Sequence, residues 1–317
     1  MRPLKNIVIG TSLTPHSDGV VRTGVAIAKA TGAAAWLVHA GAPLLDPSGM
    51  GVDAIWTEKN WNNLRELLAE QARRTGLSAL PGFSPEQIHL TMGAAAHREI
   101  VEFARGVQAD LVVIGTAESI GILGSIADRV IRKAPCPVLA IRSEAAFPPI
   151  RVEIPVDLSP TSADALRLGL SFLEQIGFPP SEAEALFVLN PFEVAGSINF
   201  SEQQIHRFAG EELRRFLAMH TAEGMRPKST LVRTGYAREE IVAALAEKKA
   251  DLAVLGTHGR SGFERLMLGS VAAGVLRSAD CNLLIVPPMA EHAEGRACAD
   301  WSYVSDEAPM AAQEVVI

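Results

Sequence analysis

The residues best suited to chemistry in this chain lie in one glycine-rich stretch near its C-terminus. Residues 251–271 read DLAVLGTHGRSGFERLMLGSV, in which Gly256, Gly259, Gly269 and Ser270 form the pattern G-x2-G-x9-G-[ST]. An apolar run ends at the first glycine, a polar loop follows, and a helical apolar pattern then resumes. The pattern predicts a strand, a loop and a helix, whose first unpaired backbone N–H groups are suited to bind a polyphosphate.

The spacing differs from two other phosphate-binding loops. The chain contains neither the G-x4-G-K-[ST] of P-loop NTPases nor a G-x-G-x-x-G pattern. Glycines at these offsets would let the backbone take positive φ angles and let a phosphate approach without a Cβ in the way. The motif therefore predicts a phosphate site of a different type.

The glycine-rich stretch has a counterpart earlier in the chain. Residues 105–143 align with residues 247–286, and the internal period is about 145 residues. A period of this length indicates two copies of one domain rather than a solenoid of short repeats. We predict one domain at 1–146, a second at 150–288 and an acidic C-terminal tail at 289–317, which is either disordered or docked through its few apolar residues.

Each copy alternates short apolar runs with amphipathic segments, which predicts a parallel sheet covered by helices on both faces. A hydroxyl residue before a proline, at Thr14-Pro15 and Ser159-Pro160, is expected to cap the first helix of each copy. The predicted strands are 6–11, 34–39, 87–91, 111–115 and 138–141 in the first copy, and 152–156, 185–189, 229–233, 252–255 and 283–286 in the second.

These segments resemble a known family. VDLSPTSADAL after the first strand of the second copy, VLGTHGRSGFERLMLGSV later, and a last strand after a cysteine are similar to the universal stress protein family. Both copies resemble it, up to about residue 288. The resemblance implies a tandem universal stress protein with two doubly wound α/β domains. Each would have a five-stranded parallel sheet in the order 3-2-1-4-5, an adenine nucleotide alpha hydrolase-like fold.

The same resemblance implies a site for ATP or another adenine nucleotide, with Mg²⁺ bridging the phosphates. In an open parallel sheet, ligands bind at the carboxyl ends of the strands where the strand order reverses, which here is between the first and fourth strands. The family pattern maps onto the second copy as follows: adenine is framed by Pro155, Val156, Asp157 and Val188, the ribose lies against Leu255 and Gly256, and the phosphates are held by Gly259, Gly269, Ser270 and Val271, with Arg260 as a further contact.

Several of these residues also suit simpler structural roles. Asp157 is also suited to a turn or helix cap, Gly256 to the end of a strand, and Ser270 to a helix N-cap alone. His258 has no carboxylate placed by the sequence to orient it, so a solvent-facing loop histidine is the simpler interpretation. Cys136 and Cys281 are expected to be small core residues. We expect no catalytic residue and no protein-built metal site.

The first copy departs from the motif. Ser12 replaces Asp157, Glu118 replaces Gly259, and five residues separate Glu118 from Gly124 where the second copy has nine. A carboxylate repels phosphate, and the shorter loop cannot follow the same path. We therefore expect the first copy not to bind ATP.

These features favour an ATP-binding stress-response or regulatory protein. The alternatives are a slow ATP-hydrolysing or phosphate-transferring enzyme of the same fold, and a ligand-free interaction scaffold. A formal charge of −7 argues against nucleic acid as a partner. The sequence lacks an apolar run long enough to span a membrane, and its three cysteines indicate a reduced compartment, so we expect a cytoplasmic protein. The last strands of the two copies are expected to pair, giving an internal pseudo-dimer, and whole chains could form a homodimer.

Overall fold

A computed structural model describes residues 3–41, 58–92, 95–116, 125–142, 144, 147–190, 201–257 and 268–288. Across these ranges strands and helices alternate in two successive sets. The first set is β1 (Asn6–Gly10), α1 (Pro15–Thr31), β2 (Ala34–Gly41), α2 (Glu58–Arg74), β3 (Ile88–Met92), α3 (Ala96–Gly106), β4 (Leu111–Gly115), α4 (Ser125–Lys133) and β5 (Val138–Ile141). The second is β6 (Val152–Val156), α5 (Pro160–Gln175), β7 (Glu184–Leu189), α6 (Glu202–His220), β8 (Ser229–Thr234), α7 (Ala237–Lys248), β9 (Leu252–Gly256), α8 (Ser270–Ser278) and β10 (Asn282–Val286).

All of these strands belong to one sheet, in the order β3-β2-β1-β4-β5-β10-β9-β6-β7-β8. Each half has its strands in the predicted order 3-2-1-4-5, and the pairs within each half are parallel. The halves meet through the antiparallel pair β5 and β10, in which Leu284 lies opposite Leu139. The pairing of the two last strands was expected from the sequence, and it covers the edge that each half would otherwise expose.

The sheet separates two apolar cores. Successive side chains of a strand point to opposite faces, so Ile7 and Ile9 join one core while Val8 joins the other. Helices α1, α2, α5 and α6 cover the first face, and α3, α4, α7 and α8 cover the second. Apolar side chains are therefore needed on both faces of each central strand, which explains the continuous apolar runs in the sequence. Among the helices described, none combines the length and apolarity needed to cross a bilayer.

The repeated aspartates cap the amino-terminal ends of the first strands. Asp110 Oδ2 accepts hydrogen bonds from the backbone amides of Lys5 and Asn6, at 2.7 and 2.9 Å. Asp251 Oδ2 accepts the equivalent bonds from Ile150 and Arg151, at 3.0 and 2.8 Å. Burial opposes ionisation of Asp251, but these amides and the Arg151 side chain outweigh it and hold the pKa of Asp251 below its usual value. Each half thus uses the same carboxylate to join its first and fourth strands.

The first helices of the two halves begin alike but are capped differently. Ser159 is the N-cap of α5, and its hydroxyl accepts a hydrogen bond from the Ser162 amide. Thr14 is the N-cap of α1, but its hydroxyl makes no capping bond and lies 2.9 Å from the Ser12 hydroxyl. Thr14 is thus the N-cap residue that the sequence predicts, but the capping hydrogen bond expected from its hydroxyl is absent.

Candidate functional site

The carboxyl ends of β6 and β9 lie side by side, at the point where the strand order of the second half reverses. From β6 the sheet continues through β7 and β8 on one side and through β9 and β10 on the other. The chain segments that follow β6 and β9 therefore run in opposite directions along the sheet. This is the geometry of ligand crevices in open α/β sheets.

Pro155 interrupts the pairing of these two strands. Their register runs through Val152 opposite Leu252 and Glu153 opposite Ala253. The Arg151 carbonyl accepts hydrogen bonds from the amides of Asp251 and Leu252, so the backbone groups of Arg151 face β9. In a parallel strand, the backbone groups of alternate residues point to the same neighbouring strand. The nitrogen of Pro155 therefore also faces β9. Proline has no N–H to donate, so the ladder cannot continue toward the carboxyl ends.

Asp157 follows β6 and organises the turn into α5. Its Oδ1 accepts hydrogen bonds from the backbone amide and the hydroxyl of Ser159. Between them Leu158 has φ of 61°, the left-handed conformation that its counterpart Leu13 also adopts. Asp157 is half-buried. The structure thus shows the turn role that the sequence allowed, while the carboxylate stays at the crevice edge.

The two ends of the glycine motif meet at the carboxyl end of β9. The Gly269 amide donates to the Thr257 carbonyl at 2.7 Å, so the residue before α8 lies beside the residue after β9. Gly269, which has no side chain to cap the helix, is the N-cap of α8. The alternative that Ser270 is the N-cap is therefore wrong, because Ser270 is the first helical residue. The side chains of Ser270 and Val271 are exposed.

The other predicted site residues on described strands lie at the same edge of the sheet. Leu255 is buried, and Gly256 ends β9 opposite Val286 of β10. Val188 is half-buried near the end of β7, and its register partner on β8 is Arg233. The structure thus brings together nine of the predicted positions: Pro155, Val156, Asp157, Val188, Leu255, Gly256, Gly269, Ser270 and Val271. Gly259 and Arg260 lie outside the described residues, as do His258 and Glu118.

The equivalent edge of the first half is built differently. The hydroxyl of Thr11, which takes the place of Val156, donates to Gln71 Oε1 at 2.8 Å, and Gln71 Nε2 donates to the hydroxyl of Ser17 at 3.0 Å. The imidazole of His16 lies over Gly115, since a Cβ on that glycine would be 3.6 Å from its Cδ2 atom. Polar and aromatic side chains of the protein itself therefore pack where β1 and β4 end.

The cysteines are core residues, as predicted. Cys136 and Cys281 are both buried. Burial raises the pKa of the Cys281 thiol to about 12, so it is not a thiolate at neutral pH. This makes Cys281 unsuitable as a nucleophile.

Sequence reasoning missed one group of ionisable residues in the second half. Glu153 on β6 is buried, and its register partner on β7 is Glu184. Burial and the Glu184 charge raise the pKa of Glu153 to about 8. The signal was available, because VEIPV and EALFVL place acids in strands that are otherwise apolar and buried.

Comparison with known proteins identifies the class of protein that this fold and site define. The sequence profile of the universal stress protein family matches residues 3–142 and 151–287. The chain therefore belongs to the universal stress protein family and contains two copies of its domain, which supports a role in stress responses.

Individual relatives agree with this assignment. A universal stress protein of Methanocaldococcus jannaschii is 30% identical over 141 residues, covering 43% of this chain and 81% of that protein. One of Mycobacterium tuberculosis is 29% identical over 188 residues, covering 56% of this chain but only 62% of its own length. Among solved structures, a universal stress protein of Archaeoglobus fulgidus superposes with a TM-score of 0.59 at 16% identity, covering 90% of this chain and 97% of that one. This last likeness shows the fold alone.

Proposed function

We propose that this protein is an ATP-binding stress-response or regulatory protein that holds one adenine nucleotide, with Mg²⁺, in the second half. The observation that carries the proposal is the bond between the Gly269 amide and the Thr257 carbonyl. It joins the two ends of the G-x2-G-x9-G-[ST] pattern at the carboxyl edge, next to a helix start whose N-cap is a glycine.

The donors at this edge suit a polyphosphate. The first N–H groups of α8 have no partners within the helix, and the partial positive charge of the helix start attracts anions. Gly269 has no Cβ to block a phosphate, and the exposed Ser270 adds a hydroxyl beside these amides. Mg²⁺ would be bound mainly by phosphate oxygens, as is usual for this ion.

The remaining surface of the edge suits a base and a sugar. Val156 and Leu255 are apolar residues at the ends of β6 and β9, buried on opposite faces of the sheet, and Pro155 stops the pairing of the two strands near their carboxyl ends. Nucleotide sites of this kind combine an apolar lining with a few polar groups that fix orientation. The Asp157 carboxylate at the edge is suited to accept a hydrogen bond from an exocyclic amine.

A binding role is favoured over catalysis by the environments of the described ionisable residues. The pKa of Cys281 is too high for a nucleophile, and Glu153 lies at the second position of β6, toward the opposite edge of the sheet. Asp157 is hydrogen-bonded within its own turn. We therefore expect ATP turnover to be very slow, and we expect the protein to act in the cytoplasm by changing shape or assembly with nucleotide occupancy.

Gly259→Glu tests this function directly, because it copies Glu118 of the first half into the second. The added carboxylate would lie beside the phosphates, and the side chain would strain any positive-φ backbone. We expect the affinity for ATP, measured by calorimetry, to fall at least about tenfold, which corresponds to about 1.4 kcal/mol.

The matched control is Glu118→Gly, which changes the equivalent position of the first half and should leave the affinity unchanged. Unaltered affinity in Gly259→Glu would contradict the proposed site. Absence of binding by the unmodified protein would favour the scaffold. Hydrolysis at about 1 per second or faster, lost in Gly259→Glu, would instead establish an enzyme.

A further inference from the structure

Two glutamates lie side by side inside the second half, away from the candidate nucleotide site. Glu153 is only 3% exposed, and its neighbours across the sheet are Glu184 on β7 and Ala253 on β9. Burying an ionised carboxylate is costly unless it is paired, so this arrangement requires compensation.

The first half serves as an internal reference for these positions. The internal period aligns Val8 with Glu153, and the register partner of Val8 on β2 is Trp36, where Glu153 has Glu184. On the other side Val8 faces Val112, and Glu153 faces Ala253. The fold therefore accepts an apolar pair at this place, and the acidic pair is a feature of the second copy alone.

The charges around the pair do not neutralise both carboxylates. Glu184 is held by Lys248 of α7, whose Nζ lies 2.8 Å from Oε2, and by the hydroxyl of Ser229 on β8. Arg233 of β8 is already bonded to two further acids, Glu240 and Glu247 of α7. Glu153 Oε2 has no hydrogen-bond partner among the described residues.

The closeness of the two carboxyls favours one proton between them. Glu153 and Glu184 are register partners on adjacent strands and Glu153 is buried, so two ionised carboxylates would face each other with little water between them. Like charges this close oppose ionisation of both groups. Because Lys248 and Ser229 keep Glu184 ionised, the proton belongs on Glu153. Burial and the Glu184 charge raise the pKa of Glu153 to about 8.

The position of Glu153 connects this proton to the pairing of β6 with β9. Glu153 and Pro155 alternate along β6, so their side chains point to the same face. Glu153 also forms the last register pair between β6 and β9 before the proline interrupts it. A charge that appears at Glu153 therefore acts on the strand pair where its hydrogen-bonded ladder ends.

We propose that Glu153 and Glu184 form a buried proton-binding site, present only in the second half, and that loss of its proton loosens β6 against its neighbours. This proposal does not depend on nucleotide binding. It gives the second half a response to pH that the first half lacks.

The direction in which pH changes the stability follows from the pKa of Glu153 in the folded and unfolded states. The folded state keeps the Glu153 proton up to about pH 8, whereas a water-exposed glutamate releases it near its usual pKa of about 4.3. Stability contributed by the proton is therefore complete at low pH and is lost as pH rises toward 8. One proton makes the opening equilibrium rise about tenfold per pH unit within that window.

Hydrogen exchange of the full chain without nucleotide tests the proposal. Exchange is followed by mass spectrometry from pH 6 to 9 and corrected for the intrinsic pH dependence of amide exchange. The opening equilibrium of β6 and β7 should rise about tenfold per pH unit up to about pH 8 and then level off. Peptides from β1 and β2 of the same molecule should show no such slope.

Three variants make the result specific. Glu153→Gln should remove the slope, and so should Glu153→Val, which copies Val8 and serves if the amide variant does not fold. Glu184→Gln should shift the pH range of the slope downward, because it removes the neighbouring charge that raises the pKa of Glu153. The same slope in β1 and β2, its persistence in both Glu153 variants, or a flat profile in the unmodified protein would overturn the proposal.

Discussion

The two halves of the sheet end their first and fourth strands at equivalent places, but the contacts there differ. In the first half β1 and β4 remain paired through Ile9 and Val113, whereas the register of β6 and β9 stops one pair earlier, at Glu153 and Ala253. Pro155 accounts for the difference, since it cannot donate to β9. The first and fourth strands of the second half therefore stop pairing at a position where those of the first half are still paired.

Other equivalent features have not diverged. Gly24 and Gly169 each let the first helix approach the sheet, because a Cβ there would lie 2.4 Å from Ile9 Cδ1 or 2.5 Å from Val254 Cγ1. Leu13 and Leu158 share the same left-handed turn. The two copies of the domain therefore share the contacts that close the core and differ in the contacts at the carboxyl edge.

The largest effect is expected from the aspartate that both halves share. Asp110→Ala and Asp251→Ala each remove a carboxylate that accepts two backbone amides. Hydrogen bonds to charged groups contribute about 1.5 to 3 kcal/mol each, so we expect either variant to lower the free energy of unfolding of its own half by about 3 kcal/mol. Urea unfolding of both variants, with exchange to locate the loss, measures this.

Equal losses of stability in the two halves would show that both use this aspartate in the same way. A loss below about 0.5 kcal/mol, within the range of ordinary surface substitutions, would contradict a structural role for these carboxylates. Because the pKa of Asp251 is lowered by its amides, its contribution should be present above the ordinary aspartate pKa and disappear as pH falls through the folded value.

A smaller effect is expected at the diverged edge. Asp157→Ser copies Ser12 and removes the carboxylate proposed to recognise the adenine amine, while the phosphate donors of α8 remain. One hydrogen bond contributes about 0.5 to 1.5 kcal/mol, so the preference for ATP over GTP should fall about two- to tenfold. Competition titrations with both nucleotides measure the ratio.

The reciprocal variant Ser12→Asp is the control, since it should not give the first half any affinity for nucleotide. An unchanged preference in Asp157→Ser would show that the carboxylate acts only in its own turn with Ser159. A gain of binding in Ser12→Asp would show that the two edges differ less than the contacts indicate.

Much of the fold followed from the sequence. Apolar runs such as LVVI and VLAI are determined by burial on both faces, so each predicted strand agrees with the structure to within two residues at either end. The repeat and the strand order also placed Asp157 and Gly256 at one edge, because parallel strands bring their carboxyl ends together.

Other features depend on contacts that spacing does not specify. Thr14 and Ser159 occupy equivalent places in the sequence, yet only the Ser159 hydroxyl accepts a backbone amide of its helix, while the Thr14 hydroxyl lies beside that of Ser12. The bond from the Gly269 amide to the Thr257 carbonyl joins residues on either side of a loop, which spacing alone does not specify. The pair of Glu153 and Glu184 depends on strand register, which is a tertiary property.

The most direct test of the account is the nucleotide stoichiometry of the full chain. Calorimetric titration with ATP and Mg²⁺ should give one site per chain, and Gly259→Glu should weaken that site while Glu118→Gly leaves it unchanged. Two equivalent sites, or a single site that Gly259→Glu does not affect, would contradict the claim that only the second half binds the nucleotide.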